Sequence, residues 1–127
     1  MEKTVIRTEN APAPFQGAPY NQAILVGDLV FVAGQLGLKP GGTAIEGDVA
    51  AQTEQVMRNL AAILEAAGSS LDNLIKTSVF LQDLGDFTAM NEVYARHVGD
   101  RPPARSTFEV AKLPSGALVE IEAVAHT

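Results

Sequence analysis

Cysteine is absent from this chain, and its absence removes disulfides, thiolate metal ligands and cysteine nucleophiles together. Only two histidines are present, His97 and His126. They lie too far apart in sequence for the paired spacing of a metal site, so no metal is expected. Basic charge is scarce as well. Nine Lys and Arg against 15 Asp and Glu leave a formal net charge of -6, and no segment concentrates the cations. Phosphate binding draws its affinity from a positive stripe that releases counterions, so nucleic acid is not an expected partner. Long hydrophobic runs are missing too. No stretch approaches the roughly 20 apolar residues of a membrane span, and "MEKTVIRTENAPAPF" carries no apolar core of a signal peptide. A cytoplasmic protein with no membrane partner is expected.

What remains is the composition of a folded chain, 46% hydrophobic and 19% charged over 127 residues. A chain of this size forms one ordinary domain and buries roughly two-thirds of its unfolded surface. Residues 1–127 are therefore expected to be one domain, with "ENAPAPFQGAPY" as an ordered loop.

Periodicity divides the chain further. Lys3 to Arg7 reads as a first strand. Asn21 to Val26 and Leu29 to Leu38 are apolar runs flanking "GD", a hairpin signal. Val49, Val56, Leu60, Ile63, Leu64 and Ala67 recur at three- and four-residue spacing, with Asp48 as N-cap and Gly68 as stop, which predicts a helix. "IKTSVFLQ", residues 75–82, is rich in β-branched and aromatic side chains and predicts a strand. A second helix is predicted from Asp86 to Val98, with Phe87, Met90, Val93, Tyr94 and Val98 on one side. Arg105 to Val110 and Leu118 to Ala125 complete the order β-β-β-α-β-α-β-β. That order suits an α+β two-layer sandwich, a mixed sheet with both helices on one face. "LVFVAGQLGL" and "LVEIEAVA" are apolar at both strand parities, so the uncovered face is expected to meet other copies of the chain.

Candidate chemistry sits at a few positions. Strand alternation places Glu120 and Glu122 on one face and Val119, Ile121 and Ala123 on the other. The pair is either an exposed edge or structural ion pair, or a carboxylate beside a bound ligand's water. Arg105 follows two prolines at the entrance of an apolar segment. It either pairs with Glu120 or Glu122, or clamps a ligand carboxylate through a bidentate fork that lysine cannot reproduce. Tyr20 follows a proline and is either a core aromatic or a ring presented to a ligand. Gly34 interrupts a strand, the mark of a bulge or of a close ligand approach. Asn91 in the second helix is either solvated or a ligand contact.

Taken in order, "TENAPAP", "PYNQA", "VAGQLGL", "DVAAQTEQVMRNLAAILEAAG", "IKTSVFLQDLGDFTAMNEVYARHV", "PPARSTFEVAKLP" and "VEIEAVA" resemble the Rid family of reactive intermediate deaminases (RidA/YjgF) over nearly the whole chain. The resemblance implies a chorismate-mutase-like fold assembled as a homotrimer, with clefts between subunits. It also implies hydrolysis of 2-imino acids, such as 2-iminobutanoate and 2-iminopropanoate released by pyridoxal-phosphate-dependent dehydratases, to 2-keto acids and ammonia, without cofactor or metal. Arg105 then corresponds to the arginine that grips the substrate carboxylate, and Glu120 to the carboxylate that orients the attacking water. Gly34 and Thr107 correspond to positions whose backbone approaches the ligand, and Tyr20 and Asn91 to the cleft wall. An unperturbed glutamate, with a pKa of about 4.3, is a weak base, so burial would have to assist Glu120. The chain departs from the family pattern at Ala33, where serine is common, at Thr107, where cysteine is frequent, and at "GAPY", one residue longer than "GPY". The rival expectation is a non-catalytic trimer that binds keto acids or shields client proteins, which would keep Arg105 and tolerate loss of Glu120.

Overall fold

A computed structural model describes all residues, 1–127. Six strands, β1 (Lys3–Ile6), β2 (Ala23–Val26), β3 (Leu29–Leu36), β4 (Leu74–Leu81), β5 (Ala104–Glu109) and β6 (Val119–His126), form one sheet, and two helices, α1 (Val49–Ala66) and α2 (Phe87–Val98), pack on it. The expected order of elements holds, with ends moved by one or two residues. The sheet runs β1-β2-β3-β6-β4-β5. Only β4 and β5 are parallel, joined by the α2 crossover. The C-terminal strand β6 inserts between β3 and β4 and pairs antiparallel with both.

Local chemistry explains the elements. Gly27 turns the β2–β3 hairpin at a φ of +58°, a region that glycine enters without steric cost. Asp48 caps α1 by accepting a hydrogen bond from the Ala51 N–H at 2.9 Å, and Gly68 beyond its end takes a φ of +81°. Strand β3 stops at Leu36, two residues before the expected end, because α1 claims the next carbonyls. The buried Asn59 amide donates to the carbonyls of Leu36 at 3.1 Å and Leu38 at 2.8 Å. Gly37 lies so close to α1 that a Cβ there would stand 2.9 Å from the Gln52 Cα.

The core lies between the sheet and the two helices. Val56, Met57, Leu60, Ile63 and Leu64 of α1 meet Val30, Val79, Leu81, Val119 and Ile121 of the sheet, all fully buried or nearly so. Each such side chain contributes about 1.5 to 3 kcal/mol relative to exposure. The opposite sheet face carries no helix and keeps large apolar groups in the open, with Leu29 41%, Phe31 46% and Phe108 55% exposed.

Candidate active site

The pleat of β6 turns Glu120 and Glu122 onto the uncovered face, opposite Phe80 and Ser78 of β4. Of the two expectations for this pair, an ion pair is not formed, since the only ion pairs join Glu54 to Arg58 and His97. Beside Glu120, β3 is bulged: Val32 pairs with Ala123 and Gln35 with Ile121, so Ala33 and Gly34 together face the single residue Glu122. A bulge bends the strand and re-aims its neighbours. The space a side chain at Gly34 would fill is taken by Glu120, whose carboxyl carbon is 2.9 Å from the ideal Cβ position and whose Oε2 is nearer still. Burial raises the Glu120 pKa above the usual carboxylate range, and the neighbouring Glu122 charge raises it further.

Glu120 lines a cleft of about 350 Å³ together with Gly34, Tyr20, Phe15, Leu36 and Pro114. Tyr20 is presented by the loop after β1, its phenol oxygen accepting a hydrogen bond from the Phe15 N–H. That loop is pinned by buried Gln22, which donates to the carbonyls of Thr8 and Pro12 at 3.0 and 2.8 Å and accepts from the Thr8 N–H at 2.8 Å. One cleft wall is thus fastened to the sheet edge by a single amide.

Arg105 and Thr107 project from the other side of the sheet. They are in register with Thr77 and Val79 of β4, whose side chains lie in the core under the helices. The Arg105 guanidinium carbon lies 4.9 Å from the Tyr94 ring centroid and 5.5 Å from that of Phe87. Tyr94 and the Thr77 hydroxyl are 2.6 Å apart in a buried hydrogen bond, and burial raises the Tyr94 pKa. Asn91 shares the helix face of Phe87 and Tyr94 at i, i+4 and i+7 spacing. Its Oδ1 is buried without a hydrogen-bond partner, so the solvated reading of Asn91 does not hold for that atom.

Two separate groups result. Tyr20, Gly34 and Glu120 gather in one cleft, whereas Arg105, Thr107 and Asn91 belong to the helix-covered side. The expected pairing of Arg105 with Glu120 or Glu122 does not occur within the chain, because strand parity sends them to opposite faces. Phe87, Tyr94 and Thr77 were not singled out by the sequence reading. Periodicity places Phe87 and Tyr94 on the apolar side of α2, and Arg105 of β5 is what gives their ring faces a polar contact.

Comparison with known proteins places these features in context. Residues 8–127 match the family model described as Endoribonuclease L-PSP, the family that includes the RidA/YjgF proteins. The chain belongs to the RidA/YjgF family. It is 51% identical over 125 residues to the RutC family protein PH0854 of Pyrococcus horikoshii, covering 98% of each chain. To the human 2-iminobutanoate/2-iminopropanoate deaminase it is 41% identical over 124 residues, 97% of this chain and 89% of that one. The crystal structure of RidA from the Antarctic bacterium Psychrobacter superposes with a TM-score of 0.93 at 42% identity, over 98% of this chain and 99% of that one.

At Ala33, one of the departures noted above, the backbone carries the anchoring contact. The Ala33 N–H donates to the Gln22 carbonyl at 2.9 Å, so losing a hydroxyl there leaves the bulge anchored. Ahead of "GAPY" the loop makes a tight turn over Phe15–Gly17, where Gln16 adopts a φ of +52°. Tyr20 still reaches the cleft that holds Glu120.

Proposed function

We propose that the protein hydrolyses short 2-imino acids to 2-keto acids and ammonia, at sites each completed by two copies of the chain in a homotrimer. The observation that carries this reading is the opposition of Arg105 and Glu120. Neither forms an ion pair, and they face away from each other across one sheet. A site that uses both needs a second subunit, and the exposed Leu29, Phe31 and Phe108 supply an apolar face for it to cover.

The chemistry follows from the two half-sites. Arg105 of one subunit donates two parallel N–H bonds to the substrate carboxylate, each contributing about 1.5 to 3 kcal/mol. Glu120 of the next holds a water, takes its proton as the oxygen adds to the C=N carbon, and passes that proton to the imine nitrogen. Glu120 then takes the carbinolamine hydroxyl proton as the C=O bond forms and delivers it to the nitrogen, which leaves as ammonia. A carboxylate whose pKa is raised toward the working pH is a better proton carrier for both steps. Tyr20, Gly34, Asn91 and Thr107 form the walls, and no step calls on a cofactor or metal. The name of the human relative supports this substrate class; cytoplasmic residence, as expected from the sequence, belongs to the same proposal.

The test is imine trapping. An amino acid oxidase generates 2-iminobutanoate or 2-iminopropanoate in situ while semicarbazide competes for it, and the protein is expected to lower semicarbazone formation. Arg105→Ala and Glu120→Ala should each abolish the effect. Mixing the two variants after subunit exchange should restore about one quarter of the sites, because an intact Arg105 and an intact Glu120 then meet at some interfaces. No rescue from mixed trimers refutes the shared site. No effect of wild type on either imine leaves the keto-acid-binding reading, and cleavage of an RNA substrate by wild type but not by Glu120→Ala would favour the nuclease named in the family description.

A further inference from the structure

Arg105 is held without being neutralised. No carboxylate reaches it, and two aromatic faces flank its guanidinium, Tyr94 at 4.9 Å and Phe87 at 5.5 Å from centroid to guanidinium carbon. A ring face attracts a cation through its quadrupole yet accepts none of the in-plane N–H bonds. A carboxylate partner would satisfy the charge and occupy the fork. The rings restrict the side chain, and although the Tyr94 phenol oxygen also lies within hydrogen-bonding reach of the guanidinium, no carboxylate occupies the fork.

The two rings differ in how they are fixed. Phe87 is 40% exposed at the first turn of α2. Tyr94 is buried, and its hydroxyl is bonded at 2.6 Å to Thr77, the residue directly beside Arg105 on the neighbouring strand. The anchor of the ring and the root of the arginine are therefore set by the same β4–β5 register. Burial also keeps Tyr94 a neutral phenol, so it offers no competing anion.

We propose that Tyr94, anchored by Thr77, is a positioning residue that preorganises Arg105 for a planar carboxylate, with Phe87 closing the outer side. This deepens the proposed function and rests on it for the identity of the ligand, but the positioning itself is a property of the chain. Positioning of a group that grips substrate equally before and during reaction changes KM and spares kcat. The ring carries the contact, so Tyr94→Phe should largely preserve it and Tyr94→Leu should not.

Two readouts test this. In protein labelled with 15N-arginine, the Arg105 Nε–H resonance, assigned by its loss in Arg105→Lys, is expected to be resolved in wild type and Tyr94→Phe and to merge with the exposed arginines in Tyr94→Leu. In the imine assay, Tyr94→Leu should raise KM about tenfold with kcat within about threefold, and Tyr94→Phe should stay within about threefold in both. Should Tyr94→Leu fail to fold, Thr77→Val, which frees the phenol without emptying space, is expected to broaden the same resonance. An unchanged Arg105 resonance in the folded variant, or a loss of kcat at constant KM, overturns the assignment. If wild type hydrolyses no imine, the function fails by itself, and the Arg105 resonance still decides whether Tyr94 positions it.

Discussion

Gly34 and Glu120 occupy space that only one side chain can fill: a Cβ at residue 34 would stand 2.9 Å from the Glu120 carboxyl carbon. The glycine at the bulge is thus a condition for where the carboxylate sits.

Gly34→Ala should therefore expel Glu120 from its place. The obstruction is the end of a flexible side chain, so the fold survives and the carboxylate moves. Imine hydrolysis is expected to fall at least about tenfold, with melting displaced by only a few degrees. Full activity in a folded Gly34→Ala protein would separate Glu120 placement from catalysis.

Two glutamates should respond to pH in opposite senses. The folded pKa of Glu120 is raised by burial, so its contribution to stability is present below the ordinary carboxylate range and is lost as pH rises through the raised value. Glu120→Gln is expected to be more stable than wild type at neutral pH and equal to it in acid. Glu54 is lowered, first by its hydrogen bond from His97 at 2.9 Å and also by Arg58. Its contribution is present above the ordinary carboxylate range and is lost as pH falls through the lowered value. Glu54→Gln should cost no more than about 1 kcal/mol at neutral pH, since the pair is partly solvated, and nothing in strong acid. Urea unfolding of both variants across a pH series checks the signs.

Asn59→Ala should be among the most damaging polar substitutions. The amide bridges the Leu36 and Leu38 carbonyls from inside the core, and its removal leaves buried acceptors unpaired. A loss of about 2 to 3 kcal/mol is expected in denaturant titration. Asn59→Asp should do no better, because a carboxylate cannot donate to either carbonyl.

Phe31→Asp places a charge on the uncovered face between Ile24 of β2 and Val124 of β6. If that face is covered by other copies, the native mass should fall from trimer toward monomer while far-ultraviolet circular dichroism is unchanged. A wild-type monomer in native mass measurement would remove the shared site altogether.

Much of the fold was legible because it is written locally. The spacing of Val49 through Ala67, the Asp48 cap, the glycine at the hairpin and the alternation of β6 each depend on neighbours within a few residues. The end of β3 was not, since Asn59 claims the Leu36 and Leu38 carbonyls from 23 and 21 residues away. The contact of Arg105 with Tyr94 and Phe87 was hidden for the same reason: periodicity assigns aromatic residues to the buried side of a helix and says nothing of a cation arriving from a strand.

The sequence by itself determined the elements, through short-range period, and named the candidate residues, through residue type and the resemblance to the family. Only the tertiary structure decided that Arg105 and Glu120 point to opposite faces. Strand pairing sets that parity: Arg105 is in register with core-facing Thr77, and Glu120 with Phe80 on the other face. A β-strand's sidedness is fixed by its partners across the sheet, and those partners lie far away along the chain.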